Sequence, residues 1–279
     1  MHLRLARSHI LAPTVRLGSL LAMLWACGGA IAQERPLQAD PQAPAQVSAS
    51  LKAPAGLYPN VVAVRTRAAG GGAPFSCSGV LLKPDWVLTQ AYCVVAGAPP
   101  GDVVVLSGHT DIAKARPTAV VQVIVHEFAS TTNRRPENSL ALLKLAEPLA
   151  GKIAPVSTEP VAAIAPRQGE AGGAVVAGWG KFFLSEPAAS LHVQRHLAVR
   201  VASHEECRAA LGDLYGAGMV CAHSAFREFD ACEGFAGGPL LLADPRGQFS
   251  VLGTVSWGIG CGGHPLAYTH IASYMPWIE

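Results

Sequence analysis

The chain has 279 residues, half of them hydrophobic and 14% charged, with a net charge of +2, a composition that suits an ordinary globular protein of one or two domains with a sizeable core. Its apolar runs in the body are broken by Gly, Pro or charge, well under the roughly 20 residues that a bilayer crossing requires. No Lys/Arg cluster supplies the basic footprint that nucleic acid or an anionic membrane would demand, so neither partner is expected.

At the N-terminus, Arg4, Arg7 and Arg16 precede the apolar run Leu17 to Trp25, and Ala30-Ile31-Ala32 offers the small residues that a signal peptidase reads. Residues 1–32 are therefore expected to be a signal peptide that directs the chain to the periplasm or the medium, with loss of three arginines and no acid moving the net charge from +2 to −1. The alternative is a lipid anchor at Cys27 after Leu24-Trp25-Ala26, to which the bulky Trp25 is poorly suited. Residues 33–46, QERPLQADPQAPAQ, read as a flexible linker or pro-segment, because Pro, Ala and Gln dominate and no apolar periodicity runs through them.

From Val47 onward the pattern is of short β-rich runs punctuated by turns: 60–65, 78–82, 103–107, 119–125, 140–145, 174–177, 192–201, 239–242 and 249–257. Many short strands with 29 Gly and 21 Pro indicate an all-β sandwich or barrel, with helical periodicity only at the very end. His192 and His196 would face together on a helix as a metal pair. The alternation of Val193, Leu197, Val199 and Val201 is that of a strand, where residues four apart stand roughly 13 Å from each other, so both histidines are expected to face solvent. No metal site and no cofactor are expected, since there is no Cys-x-x-Cys and no histidine at ligand spacing near a cysteine. Apart from Cys27 there are six cysteines, Cys77, Cys93, Cys207, Cys221, Cys232 and Cys261. An even number suits three disulfides in an oxidising compartment, with 15 pairings open to spacing alone.

Several separated segments carry a resemblance. They are Cys77-Ser78-Gly79-Val80-Leu81-Leu82; Trp86-Val87-Leu88-Thr89-Gln90-Ala91-Tyr92-Cys93; Asn138-Ser139-Leu140-Ala141-Leu142-Leu143-Lys144-Leu145; Ala177-Gly178-Trp179-Gly180; Asp230-Ala231-Cys232-Glu233-Gly234-Phe235-Ala236-Gly237-Gly238-Pro239; and Ser256-Trp257-Gly258 with Cys261 and Tyr268-Thr269. In order and spacing the string resembles the chymotrypsin/trypsin family over about residues 47–279. The resemblance implies two packed six-stranded antiparallel barrels with a short C-terminal helix, the first barrel about 47–160 and the second about 161–279, with a cleft between them. It also selects one pairing of cysteines: Cys77 with Cys93, Cys207 with Cys221, and Cys232 with Cys261.

Carried over residue by residue, the resemblance implies a chain that lacks its family's chemistry. Peptide hydrolysis there needs a serine hydroxyl to attack, an imidazole to take its proton and a carboxylate to orient the imidazole. Ala236 stands at the nucleophile position, Tyr92 at the base and Ser139 at the acid. A methyl group has no lone pair, a phenol titrates near pH 10, and a hydroxyl does not carry the charge that stabilises an imidazolium. Glu137, Ser76 and Ser78 lie nearby in sequence, but none falls on a matching position. The family's activating N-terminus and the acid it pairs with are also replaced, by Val47-Ser48-Ala49-Ser50 and by Phe235. Gly234 retains a backbone N–H for an oxyanion-type site.

Around the pocket, Asp230 matches the acid that selects Lys or Arg, or else is simply a solvated or locally hydrogen-bonded carboxylate, and Ser256, Trp257 and Gly258 match the strand that pairs with substrate. Leu266 stands where a glycine would line the pocket wall, so its side chain is expected in the slot. The expected function is an exported pseudoprotease that binds a protein or peptide, the alternative an active serine endopeptidase that uses non-matching residues.

Overall fold

The computed structural model describes residues 51–67, 75–94, 99–130, 137–167, 173–226, 230–244 and 246–279. The expected signal peptide, linker, Cys27 and the segment Val47–Ser50 lie outside the described residues. In the first half, six strands run β1 Val61–Thr66, β2 Phe75–Lys83, β3 Trp86–Thr89, β4 Val103–Ser107, β5 Arg116–Val125 and β6 Ala141–Leu145. They close in the order β1-β2-β3-β6-β5-β4, all antiparallel. In the second half, β7 Ala174–Gly178, β8 Arg195–Val201, β9 Met219–Ser224, β10 Pro239–Ala243, β11 Phe249–Trp257 and β12 Leu266–His270 close in the matching order β7-β8-β9-β12-β11-β10. The fold is thus all-β, two closed six-stranded antiparallel barrels built on one connectivity. Among the described residues, no helix is long and apolar enough to cross a membrane.

The period-2 alternation of the strands has a specific use here, because both faces are buried. On β1, Val62 and Val64 point into the first barrel with Val87, Val105 and Leu143, while Val61 and Ala63 join Val80, Leu88, Val175, Ala198 and Leu241 in a cluster between the barrels. On β8, Leu197, Val199 and Val201 fill the second barrel with Val176, Leu240 and Tyr268, and Ala198 faces the first. Burial on both sides removes apolar surface twice from the same strand, at roughly 25 cal/mol per Å². It also corrects the expectation for His196. Rather than facing solvent, His196 is fully buried, its Nδ1 2.8 Å from the Tyr58 hydroxyl, because the other barrel covers that face of β8. His192 is exposed, in the 3-10 turn Ala188–His192 that precedes the strand.

Among the described residues there are three α-helices: α1 Val161–Ile164, α2 His204–Leu211 and, near the end of the chain, α3 Met275–Ile278. Sequence periodicity anticipates only the last. α2 is started by a capping box in which Ser203 Oγ accepts the Glu206 N–H at 3.2 Å and the Glu206 carboxylate accepts the Ser203 N–H at 2.8 Å. Arg200 hydrogen-bonds the same carboxylate and, with the Ser203 backbone, holds its pKa down to about 2. Cys207 and Leu211, four apart, are the buried face of the helix.

The disulfides are Cys77–Cys93, Cys207–Cys221 and Cys232–Cys261, with Cα separations of 5.9, 5.7 and 5.4 Å. Cys77–Cys93 joins β2 to the turn after β3 across 16 residues. Replacing both partners by alanine is expected to lower stability by about 3 kcal/mol, through the extra freedom given to the unfolded chain. A urea titration of the double variant against the parent reads that difference.

Candidate functional site

A cleft of about 460 Å³ opens where the loop before β10 meets the turn after β3. Tyr92, Gly234, Ala236, Ser256, Trp257, Gly258 and Leu266 all line it, so residues spread over 175 positions of the sequence lie around one cleft. Ser76, Leu191 and Glu233 line it too, and Glu233 is held by Lys181 Nζ at 2.7 Å. Among the described residues on its walls there are two serines, Ser76 and Ser256, and no histidine.

The floor of the cleft is the loop from Asp230 to Pro239. Gly234 has φ +92°, and a Cβ there would lie 2.4 Å from the Trp179 carbonyl oxygen, so both the backbone conformation and the space require glycine. The next two residues face opposite ways. Phe235 turns into the second barrel and is fully buried, its ring 5.2 Å from that of Phe182. Gly180 makes room for it, since a Cβ on Gly180 would stand 2.1 Å from Phe235 Cδ2. Ala236 turns towards the first barrel, in the cluster of Cys77, Cys93, Val94 and Leu143.

Ser78 fastens this loop from the opposite side. Its N–H donates to the Ala236 carbonyl at 2.8 Å, its hydroxyl donates to the Gly234 carbonyl at 3.0 Å, and the same oxygen accepts the Trp179 N–H at 2.9 Å. Gln90, fully buried, reaches across in the same way, with Nε2 donating to Thr254 Oγ1 at 3.0 Å. Neither role is evident from sequence.

Tyr92 sits on the 3-10 turn Ala91–Val94, which Cys93 anchors to β2. Its ring packs against the cluster that contains Ala236. Burial pushes its phenol up to about 12. Ser139 is buried just before β6 and is not on the cleft wall. Its predecessor Asn138 takes φ +55°, and Asn138 Oδ1 accepts the Tyr274 hydroxyl at 3.0 Å. Asp230 is also off the cleft wall, 2% exposed. One carboxylate oxygen accepts the Ala231 N–H at 2.7 Å, and the other has no hydrogen-bond partner among the described residues. Desolvation pushes its pKa up to about 7, against the backbone N–H groups of Ala231 and Ser224. Its charge in turn raises the fully buried phenol of Tyr268, after the larger effect of burial.

Two closed six-stranded barrels of matching connectivity, with a glycine-rich loop of the second barrel pinned against a disulfide-anchored turn of the first, define the two-barrel class to which chymotrypsin-like proteins belong. The chain belongs to the trypsin family of serine proteases, whose family model matches residues 50–278. It is 34% identical to coagulation factor XII of Cavia porcellus over 219 residues, 73% of this chain and 36% of that protein. It is 35% identical to human serine protease 56 over 237 residues, 81% of this chain and 37% of that protein. With vitamin K-dependent protein C of Oryctolagus cuniculus the identity is 32% over 217 residues, 73% of this chain and 46% of that protein. The chain therefore spans about a third to a half of the length of these relatives.

Proposed function

We propose that this protein is an exported, catalytically silent member of the trypsin family that engages a protein or peptide through the cleft between its barrels. The observation that supports this reading is that Ala236, which the sequence resemblance matches to the family's attacking serine, lines the cleft. Magnitude decides against residual hydrolysis. In a serine protease where each was removed singly, loss of nucleophile or base costs on the order of a millionfold in turnover. Tyr92 does not replace the base: a phenol with a pKa of about 12 is ionised to roughly one part in 10⁵ at pH 7. Ser256, Trp257 and Gly258, which the resemblance matches to the substrate-pairing strand, line the cleft, and a relative that bears the name serine protease supports a polypeptide as occupant. Three disulfides support an oxidising destination.

Treating the purified protein with a fluorophosphonate probe, beside active trypsin, tests the proposal. No covalent adduct is expected. An adduct mapped to Ser76 or Ser256, accompanied by peptide cleavage that the probe abolishes, would overturn it in favour of an endopeptidase with relocated chemistry.

A further inference from the structure

A second cavity, of about 550 Å³, shares no wall residue with the cleft. Three segments form it: 56–60 ahead of β1, 152–155 after β6 and 246–249 at the turn from β10 into β11. They are tied to the barrels, since the Leu81 N–H donates to the Asn60 carbonyl and the Val251 N–H to the Pro155 carbonyl, both at 2.8 Å, and the Phe249 ring lies 5.2 Å from that of buried Tyr58. Half of the wall is apolar, from Leu57, Pro59, Ile153, Ala154, Pro155 and Phe249. Its charged residues are Lys152 and Arg246, both exposed, and among the described residues no carboxylate lines it. Lys152 Nζ donates to Gln248 Oε1 at 2.7 Å, which draws the ammonium to the turn that carries Arg246. Asp244, at the foot of that turn, commits Oδ1 to the N–H groups of Arg246 and Gln248 at 2.9 and 2.7 Å. Asn60 adds a buried donor: it is 3% exposed, and its Nδ2 has no hydrogen-bond partner among the described residues. An amide donor shut away without an acceptor is costly, and so are two cations beside one apolar wall without a counter-charge. A ligand with an anionic head and an apolar body answers both, by charge-assisted hydrogen bonds at one end and removal of hydrocarbon from water at the other. The cavity has the size of ordinary small-molecule sites, about 300 to 1,000 Å³.

We infer that this cavity binds an amphiphilic organic anion of the fatty-carboxylate kind, its head held by Lys152, Arg246 and the Asn60 amide and its chain laid against Ile153, Pro155 and Phe249. The site is separate from the cleft, and the inference stands or falls independently of the role proposed there.

Octanoate, titrated calorimetrically into the purified protein, is the probe. The native protein is expected to take up one equivalent with a Kd below about 1 mM. Acetate, which has the head alone, and octanol, which has the chain without the charge, are each expected to bind about tenfold more weakly or worse. The double variant Lys152→Met, Arg246→Met, altered only at exposed positions, is expected to lose about tenfold in octanoate affinity. Asn60→Ala, with its fold checked by circular dichroism, is expected to lose about threefold or more; should it not fold, the double variant decides alone. Octanoate affinity unchanged in the double variant or in folded Asn60→Ala, octanol bound as tightly as octanoate, or no uptake at millimolar concentration overturns the inference. Sedimentation with phosphatidylglycerol vesicles that the double variant loses, without binding of free octanoate, would assign the two cations to a lipid surface and overturn it as well.

Discussion

Exchange of Phe235 for aspartate is expected to destabilise the protein by about 5 kcal/mol or more. Removal of a buried phenyl ring costs about 3 to 5 kcal/mol on its own, and an unpaired carboxylate in its place adds a desolvation penalty of at least a few kcal/mol. The surroundings are apolar or committed. The Phe182 ring lies 5.2 Å away, Gly178 and Gly180 form the wall, and Arg195, its guanidinium 4.0 Å from the Phe182 ring centre, is already paired with Glu186. Phe235→Leu, close in volume and still apolar, is expected to cost roughly 1 kcal/mol. Urea unfolding of both variants at neutral pH measures the difference. An aspartate variant as stable as the parent would mean that an internal cation meets the loop, as a processed N-terminus does in the wider family. In this loop the Phe235 side chain is fully buried in the second-barrel cluster.

Asp230→Asn carries the second large effect, and its signature is its dependence on pH. Unfolded, the Asp230 carboxyl ionises near its ordinary value of 3.8; folded, burial raises it to about 7. Below pH 3.8 it is protonated in both states and adds nothing. Between these values the folded state holds a proton that the unfolded state has released, so stability falls as pH rises. Above pH 7 the whole penalty is present, about 4 kcal/mol at 1.36 kcal/mol per pH unit. Asparagine keeps the shape without the charge. The variant is therefore expected to match the parent near pH 4 and to exceed it by about 4 kcal/mol at pH 8. Thermal unfolding at the two pH values checks this, and equal midpoints at pH 8 would show that the carboxylate is solvated or paired.

Much of the architecture is legible in the sequence, but through motifs more than through periodicity. The cysteine-bearing segments and the loop Asp230–Pro239 mark both barrels and bring Tyr92, Gly234 and Ala236 to one cleft. β9 and β12 escape the alternation test for a physical reason. Leu266–Thr269 is buried at every residue and Met219–Ala222 likewise, so no polar face exists to alternate with. His196 is misplaced for the same reason, as its strand is covered on both sides. α2 is too short for its buried pair, Cys207 and Leu211, to stand out, although Ser203-x-x-Glu206 is a readable start signal. Asp230 can be recognised by its motif, but that it is buried away from the cleft wall follows from strands far apart in the chain that pack around it. Burial that depends on such distant packing has no local pattern.

The fastening by Ser78 means that the cleft belongs to neither barrel. Three hydrogen bonds and the Gln90 bond to Thr254 cross the seam between the halves. Each ring of strands closes on itself without them. A slight parting of the halves would therefore erase the groove while leaving both rings intact. Ligand occupancy would report the mutual docking of the halves, and a tightly held partner would act as a staple across the seam.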